Sequence, residues 1–251
     1  DVCSSDLELA SLLCMDDSLI ETLCLAHDIG HPPFGHGGEV ALHYMMHQHG
    51  GFEGNGQTFR IITKLEPYTA DHGMNLSRRS VLGLVKYPNF IDTLSQNIAY
   101  PPRPATLRQV KASEWHPPKG LFRCDENLFE WLLTPLSQDD RNRFMSFTAQ
   151  PGLAGKTQFK SFDCSIMELA DDIAYGIHDL EDSIVMGMVN YTDFISDVAE
   201  PLIELDIPGI SDKALPLAEK LFSEHHHERK NAIGALVNAF ITAIEIQQVE
   251  G

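Results

Sequence analysis

The sequence predicts an all-α fold, and three observations support this prediction. Apolar residues recur every three or four positions in most segments, which is the spacing that places them on one face of a helix. Almost no segment shows the alternation with a period of two that a half-buried strand requires. Helix-ending signals such as Gly50-Gly51 and Pro88 stand where the periodic segments stop, and we find no internal repeat.

The first predicted helices lead to a turn that is rich in histidine. Residues 7–14 have the pattern of the end of a helix whose beginning is absent. The start of the next helix is marked by Ser18 and Glu21, a pair typical of a capping box. This helix leads into the segment Ala26–Glu39. Because the helical pattern is cut at both ends of the chain, we expect the chain to be a piece of a longer protein.

The later helices are predicted from the same spacing. Asp125 is the predicted N-cap of one of them, whereas the proline-rich segment Pro101–Gly120 and residues 151–160 are predicted loops. The predicted helices after the turn are Glu39–His49, Leu76–Lys86, Asp125–Leu133, Gln138–Phe147, Cys164–Met188, Tyr191–Leu205, Lys213–Glu224 and Arg229–Val249. The segment Phe52–Leu65 is predicted to begin with a glycine-rich lead-in and to continue with the helical spacing of Phe59, Ile61, Ile62 and Leu65. The helix Cys164–Met188 is predicted to bury one stripe, formed by Ile166, Leu169, Ile173, Ile177, Leu180 and Ile184.

Charge and composition exclude some functions. The formal net charge of −18 argues against a broad electrostatic surface for nucleic acid or anionic lipid, although a locally positive pocket still permits a small anionic substrate. No apolar run has the length of a membrane span, and the first residues lack the pattern of a secretory signal. The five cysteines are scattered without a CxxC pair, which predicts reduced, mostly buried thiols and a cytoplasmic location.

The segment Ala26–Glu39 holds three histidines and two carboxylates, a ligand set suited to a divalent metal. His27 and Asp28 stand at a helix end, where their side chains can converge on one ion, and further ligands must come from elsewhere in the chain. Glu39 follows His36 by three residues and can reach its imidazole, which would make His36 a general acid or base. Alternatively, Glu39 only satisfies backbone amides at the start of a helix.

The helix Cys164–Met188 offers further metal ligands on a polar stripe, for which the alternative is an ordinary solvated face. This stripe consists of Asp171, Tyr175, His178, Asp179 and Asp182. The small residues Ala170, Ala174 and Gly176 favour close packing against another element. The remaining histidines are predicted to have no role in the site: His225–His227 lie at the surface, and His43, His47 and His49 lie on the outer part of a helix.

Four motifs in this order resemble one known family. They are HDIGHPPFGHGGE at residues 27–39, FEGNGQ at 52–57, KYP at 86–88 and ADDIAY at 170–175 followed by Asp179. Together they resemble the deoxyguanosine triphosphate triphosphohydrolase (dGTPase) family of the HD superfamily, over about residues 7–190. The resemblance implies an HD-domain helical bundle around a single metal site. It also implies one domain over residues 1–251, with a catalytic core of about 7–190 and a C-terminal helical part of about 191–251.

The resemblance implies hydrolysis of a deoxynucleoside triphosphate (dNTP), dGTP first among them, to deoxynucleoside and inorganic triphosphate. The implied metal ligands are His27, Asp28 and Asp171, and the divalent ion is Mg²⁺ or Mn²⁺, with Co²⁺, Fe²⁺ and Ni²⁺ also compatible with these ligands. The other implied roles are catalysis by His36 with Glu39 as its partner, contact of His31 with the phosphates, phosphate binding by Lys86, Tyr87 and Lys119, and deoxyribose binding by Tyr175 and Asp179.

The implied partners are the dNTP substrate, further copies of the chain in a homo-oligomer such as a hexamer, and single-stranded DNA as a regulator. No membrane is expected as a partner. One departure concerns the family's first metal ligand, a histidine in an upstream Arg-x-x-His stretch, because residues 1–6 contain no histidine. We therefore expect this chain to bind metal weakly. The alternatives are another HD-type nucleotidase or phosphodiesterase, and a nucleotide-sensing scaffold with an incomplete metal site.

Overall fold

The computed structural model describes residues 8–207 and 209–247, and within them the fold is all-α, as predicted. Residues 8–12 are helical. The α-helices that follow are α1 (Asp17–Ala26), α2 (Gly35–Met46), α3 (Gly54–Arg60), α4 (Arg78–Gly83), α5 (Ile91–Leu94), α6 (Glu126–Leu133), α7 (Gln138–Phe144), α8 (Phe162–Val185), α9 (Tyr191–Phe194), α10 (Glu200–Glu204), α11 (Ala214–Leu221) and α12 (His226–Thr242). Two π-helical segments, Ile61–Leu65 and Ile195–Ala199, extend α3 and join α9 to α10.

The described residues form two compact units. The unit Glu21–Ser165 has an aromatic core in which the ring of Phe129 packs edge-on against Phe59 and Phe90, with centroids 6.4 and 5.6 Å apart. The other unit consists of the described residues before and after this segment. Its core cluster is formed by Phe194, Ala199, Ala214, Ala218, Leu221 and Ala232. The predicted division of the chain near residue 190 stays a prediction.

The capping contacts at two helix starts differ from the predictions. At α1 the backbone amide of Leu19 donates to the side chain of Asp16 at 2.9 Å, so Asp16 rather than Ser18 caps the helix. At α6 the side chain of Asp125 makes no capping bond. Asp125 is still the N-cap residue, as predicted, and its carboxylate is buried with Oδ2 4.0 Å from the Nε of Arg60.

The loop predicted at residues 151–160 contains a short strand. Strands β1 (Phe147–Thr148) and β2 (Lys156–Thr157) pair antiparallel, with Phe147 opposite Thr157. The amide of Gly155 donates to the carbonyl of Leu94 at 2.8 Å, and a Cβ at Gly155 would lie 2.8 Å from the ring of Phe147. These tertiary contacts stabilise the hairpin. Its strands have only two residues each, and a strand this short produces no periodic signal in the sequence.

The buried face of α8 runs through small residues. Ile166, Ala170, Ala174 and Ile177 are buried, whereas Leu169, which was predicted to be buried, is exposed. The predicted packing roles of Ala170 and Ala174 agree with this burial. Gly176 faces open space, since no atom would lie within 4 Å of a Cβ at this position, so the packing role predicted for it was wrong.

The position predicted for His43, on the outer part of the helix, was wrong, because its side chain is buried. Its Nε2 lies 3.0 Å from the hydroxyl of Tyr100, and its Nδ1 lies 3.2 Å from the carbonyl oxygen of Phe52. Burial lowers the pKa of His43 below its ordinary value. His225–His227 are exposed, as predicted.

The expectation of mostly buried thiols is half correct for the described cysteines. Cys24 and Cys164 are buried, whereas Cys14 and Cys124 are exposed. Burial raises the pKa of the Cys164 thiol to about 11. None of the helices in the described part of the chain combines the length and the apolar composition that a membrane span needs.

Replacing Gly30 with alanine should destabilise the protein by about 1–3 kcal/mol, because an added Cβ would lie 2.1 Å from the amide nitrogen of Thr58 and 2.4 Å from the carbonyl oxygen of Gly54. The matched control is Gly37→Ala, since no atom lies within 4 Å of a Cβ at that helical position. Urea denaturation measures both free energies of unfolding. Equal values for the two variants would show that the turn does not pack tightly against α3.

Candidate metal and catalytic site

His27 and Asp28 follow the last residue of α1, and their side chains converge. The Nδ1–H of His27 donates to the carbonyl of Cys24 at 2.7 Å, which fixes the ring and directs Nε2 toward Asp28. The His27 Nε2 lies 3.2 Å from the Asp28 Oδ2. Burial opposes ionisation of Asp28, but the hydrogen bond to His27 and the charges of His31 and Lys86 hold the pKa of Asp28 below its ordinary value. Asp28 is therefore a carboxylate at neutral pH.

Thr58 fixes the turn after Asp28, a role that the sequence did not predict. Its buried hydroxyl accepts a hydrogen bond from the amide of Gly30 and lies 3.0 Å from the carbonyl oxygen of His27. Thr58 belongs to α3, so this single hydroxyl ties the backbone on both sides of Asp28 to another helix. The motif FEGNGQ precedes Thr58 directly, but it gives no indication that the following threonine bonds to the turn.

His31 and His36 continue the line of side chains away from Asp28. The Nδ1 of His31 lies 3.2 Å from the Asp28 Oδ1, and the rings of His31 and His36 meet edge-on with centroids 6.4 Å apart. The side chain of His36 is 81% exposed, so a substrate can reach its imidazole. Phe34, directly before α2, adopts the left-handed conformation with φ of 70°, and this turn brings His36 into the first turn of the helix.

Glu39 lies behind His36 and is almost fully buried. Its Oε2 is 3.5 Å from the His36 Nδ1, and its Oε1 accepts a hydrogen bond from the amide of Gly54 at 2.9 Å. The ammonium of Lys119 lies 2.8 and 2.7 Å from the two Glu39 oxygens. Burial opposes ionisation, but the bonds from Lys119 and Gly54 outweigh it and hold the pKa of Glu39 below its ordinary value. The alternative prediction, that Glu39 satisfies backbone amides at the start of a helix, is thus also partly correct. The amide that Glu39 binds is that of Gly54 at the start of α3, and not one in its own helix α2.

The predicted phosphate-binding residues lie in two environments. Lys86 and Tyr87 are half-buried, and the Lys86 ammonium is one of the charges that lower the pKa of Asp28. Lys119 is instead bound to Glu39 and lies 3.4 Å from the Oε1 of Glu53. Contact of these three residues with phosphate stays a prediction.

Asp171, Tyr175 and Asp179 lie on α8, in the other compact unit. Asp171 is half-buried, whereas Tyr175 and Asp179 are exposed. Their predicted roles as metal ligand and deoxyribose contacts stay predictions.

His27 and Asp28 have the chemistry of two metal ligands, because an imidazole nitrogen and a carboxylate oxygen lie 3.2 Å apart and the second imidazole nitrogen is tied to a carbonyl. Within the described residues, however, no group of three or more His, Cys, Asp or Glu side chains forms a ready metal site. Residues 1–6, where the upstream histidine ligand is missing from the sequence, lie outside the described residues. The pair therefore fits part of a divalent metal site.

Comparison with known proteins identifies the domain that contains this turn. Residues 7–87 match the HD domain model, and HD domains in general bind divalent metal ions. The chain is 54% identical over 239 residues to a deoxyguanosinetriphosphate triphosphohydrolase-like protein of Vibrio vulnificus, with 94% of this chain and 54% of the relative covered.

Two proteins of the same description from Shewanella agree with this result. The protein of Shewanella oneidensis is 59% identical over 239 residues, with 91% of this chain and 52% of the relative covered. That of Shewanella woodyi is 56% identical over 232 residues, with 92% and 52% covered. The chain spans about half the length of the curated relatives it matches. The chain therefore contains an HD domain, and over more than nine-tenths of its length it is similar to part of the deoxyguanosinetriphosphate triphosphohydrolase-like proteins.

Proposed function

We propose that the protein hydrolyses deoxynucleoside triphosphates, dGTP first among them, to deoxynucleoside and inorganic triphosphate with the help of a divalent metal ion. The observation that carries this proposal is the continuous row of side chains from His27 and Asp28 through His31 to His36 and Glu39. The names of the relatives support the same activity. Mn²⁺ or Mg²⁺ is the proposed ion.

His27 and Asp28 would hold the ion, with Asp171 as the further ligand that the resemblance implies. When bound, a divalent ion supplies Lewis-acid stabilisation of charge on the reacting phosphate. The ring of His27 is kept in place by its bond to Cys24, so the chain itself orients this ligand. Lys86, half-buried near Asp28, contributes positive charge for the triphosphate.

His36 and Glu39 would move the proton. Attack of water on the α-phosphorus forms a new phosphorus–oxygen bond and breaks the bond to the 5′-oxygen, which must gain a proton to leave as the deoxynucleoside. His36 accepts the proton that the water loses and passes it to the 5′-oxygen. Glu39, buried and ionised 3.5 Å from the imidazole, stabilises the positive charge that His36 carries between these two steps.

The test is an analysis of the products formed from each of the four dNTPs and from GTP, with Mn²⁺ or Mg²⁺. We expect inorganic triphosphate and deoxynucleoside, fastest from dGTP, and little product from GTP because its 2′-hydroxyl would crowd Tyr175. Orthophosphate or pyrophosphate as the product would indicate another HD-type phosphohydrolase. Nucleotide binding without turnover would indicate a sensing scaffold. The hexameric assembly and the regulation by single-stranded DNA are proposed on the resemblance alone, and the cytoplasmic location on the scattered cysteines.

A further inference from the structure

Lys119 connects two buried carboxylates that belong to different elements. Its ammonium contacts both oxygens of Glu39, in α2, at 2.8 and 2.7 Å, and lies 3.4 Å from the Oε1 of Glu53, which precedes α3. An ammonium has three N–H donors, and two of them are used by the hydrogen bonds to the Glu39 oxygens. The ammonium is also within ion-pair distance of Glu53, so Lys119 is directed at two carboxylates in this arrangement.

Glu53 is held rigidly in the position from which it meets Lys119. Its side chain is 0% exposed, its Oε2 accepts a hydrogen bond from the amide of Gly56 at 2.7 Å, and its Oε1 accepts one from the Asn55 side chain at 2.7 Å. It is thus the N-cap of α3, the helix that also supplies the Gly54 amide bound by Glu39. Glu53 has no role in the reaction proposed above.

We infer that Glu53 and Lys119 are positioning residues, in which Glu53 anchors the Lys119 ammonium and Lys119 fixes the Glu39 carboxylate behind the imidazole of His36. This inference rests on the proposed function, since it assigns how that site holds its proton-transfer pair. The pKa values of the two carboxylates are shifted in opposite directions. Burial raises the pKa of Glu53, whereas the bonds from Lys119 and Gly54 lower the pKa of Glu39 despite its burial. The positive charge of Lys119 lowers the pKa of both carboxylates, but at Glu53 the effect of burial is larger.

Replacing Lys119 with methionine separates positioning from phosphate binding. A positioning role predicts that kcat for dGTP falls by about 10–100-fold while KM changes little. A phosphate contact predicts the opposite, a large rise in KM with kcat retained, and that result would overturn the inference. Lys119→Arg should recover much of the kcat, because a guanidinium can also donate to both Glu39 oxygens. The matched control is Lys111→Met, since Lys111 is exposed and meets a single carboxylate, that of Glu114, at 3.4 Å.

The pH profile provides a second readout. The charged or titratable groups that face Glu39 are Lys119, His36, Glu53 and His43. Removing the Lys119 charge raises the pKa of Glu39, so the acidic limb of the kcat/KM profile should move to higher pH in Lys119→Met. An unchanged acidic limb would show that Lys119 does not act through Glu39.

Replacing Glu53 with glutamine tests the anchor. The amide keeps the size of the side chain and an oxygen for the Gly56 amide, but it removes the negative partner of Lys119. We expect the same direction of change in kcat as for Lys119→Met, with a smaller size, and no change in Glu114→Gln. Wild-type kcat in Glu53→Gln would exclude Glu53 from the positioning group.

Hydrogen exchange at Gly54 makes the inference testable without catalysis. The Gly54 amide donates to Glu39, so loss of the Lys119 clamp should speed its exchange, whereas Lys111→Met should not. If the wild-type protein releases no triphosphate but Gly54 exchange still depends on Lys119, the proposed function fails and the clamp stands. If triphosphate is released but Gly54 exchange is the same in Lys119→Met, the clamp fails and the proposed function stands.

Discussion

Replacing Asp28 with alanine should lower metal-dependent turnover by about 10³-fold or more. The reason is that Asp28 is the ionised oxygen donor beside His27, and a bound divalent ion supplies several kcal/mol of transition-state stabilisation, of which each 1.4 kcal/mol corresponds to about tenfold in rate. Calorimetric titration with Mn²⁺ should show weaker binding in parallel. Asp171→Ala should have the same effect if the ligand set implied by the resemblance is correct.

Two control variants make this result specific. His226→Ala changes an exposed histidine outside the site, and Asp172→Ala changes the exposed neighbour of Asp171 on α8. Both should retain turnover. If Asp172→Ala loses as much activity as Asp171→Ala, the polar stripe of α8 has been misinterpreted. If Asp28→Ala binds Mn²⁺ as the wild type does, the metal lies elsewhere.

Replacing His36 with alanine should lower kcat by about 10²–10⁴-fold while Mn²⁺ binding is retained, because a positioned general acid or base contributes that factor to rate. The exposed ring of His36 lies next to His31 and is backed by Glu39, but it does not contact His27 or Asp28 through any described bond. Steady-state kinetics and calorimetry measure the two properties separately.

The matched control for His36 is His49→Ala, since His49 is also an exposed histidine of the same unit. It should have wild-type kcat. Loss of Mn²⁺ binding in His36→Ala would contradict the division between metal ligands and proton-transfer residues.

The fold class was predictable from the sequence because apolar spacing within one helix is a local signal. The errors arise where a tertiary contact decides the outcome. Asp125 stands at the N-cap of α6 but is buried near Arg60 without a capping bond, and the hairpin at Phe147–Thr157 depends on the contact of Gly155 with Leu94. His43 falls on a buried face because Phe52 and Tyr100 surround it, and neither position follows from the sequence of α2.

The candidate site likewise has a part that could be predicted from the sequence and a part that could not. The row from His27 to Glu39 was predictable because it lies within one segment of thirteen residues, in which adjacent positions and single helical turns determine which side chains meet. Thr58 and Glu53 could not be assigned. Thr58 hydrogen-bonds to the backbone of the turn from α3, Glu53 lies within ion-pair distance of Lys119, and neither contact has a sequence signature. Lys119 was predicted only as a phosphate contact implied by the resemblance. Its carboxylate partners lie 80 and 66 positions earlier in the chain, so no local pattern indicated them.

The most direct test of the central claim is to hydrolyse dGTP in water labelled with ¹⁸O, in the presence of Mn²⁺, and to locate the label by mass spectrometry. A site that directs water to the α-phosphorus and protonates the 5′-oxygen through His36 places one ¹⁸O atom in the inorganic triphosphate and none in deoxyguanosine. Label in the 5′-hydroxyl of deoxyguanosine, or in released orthophosphate, would contradict the account.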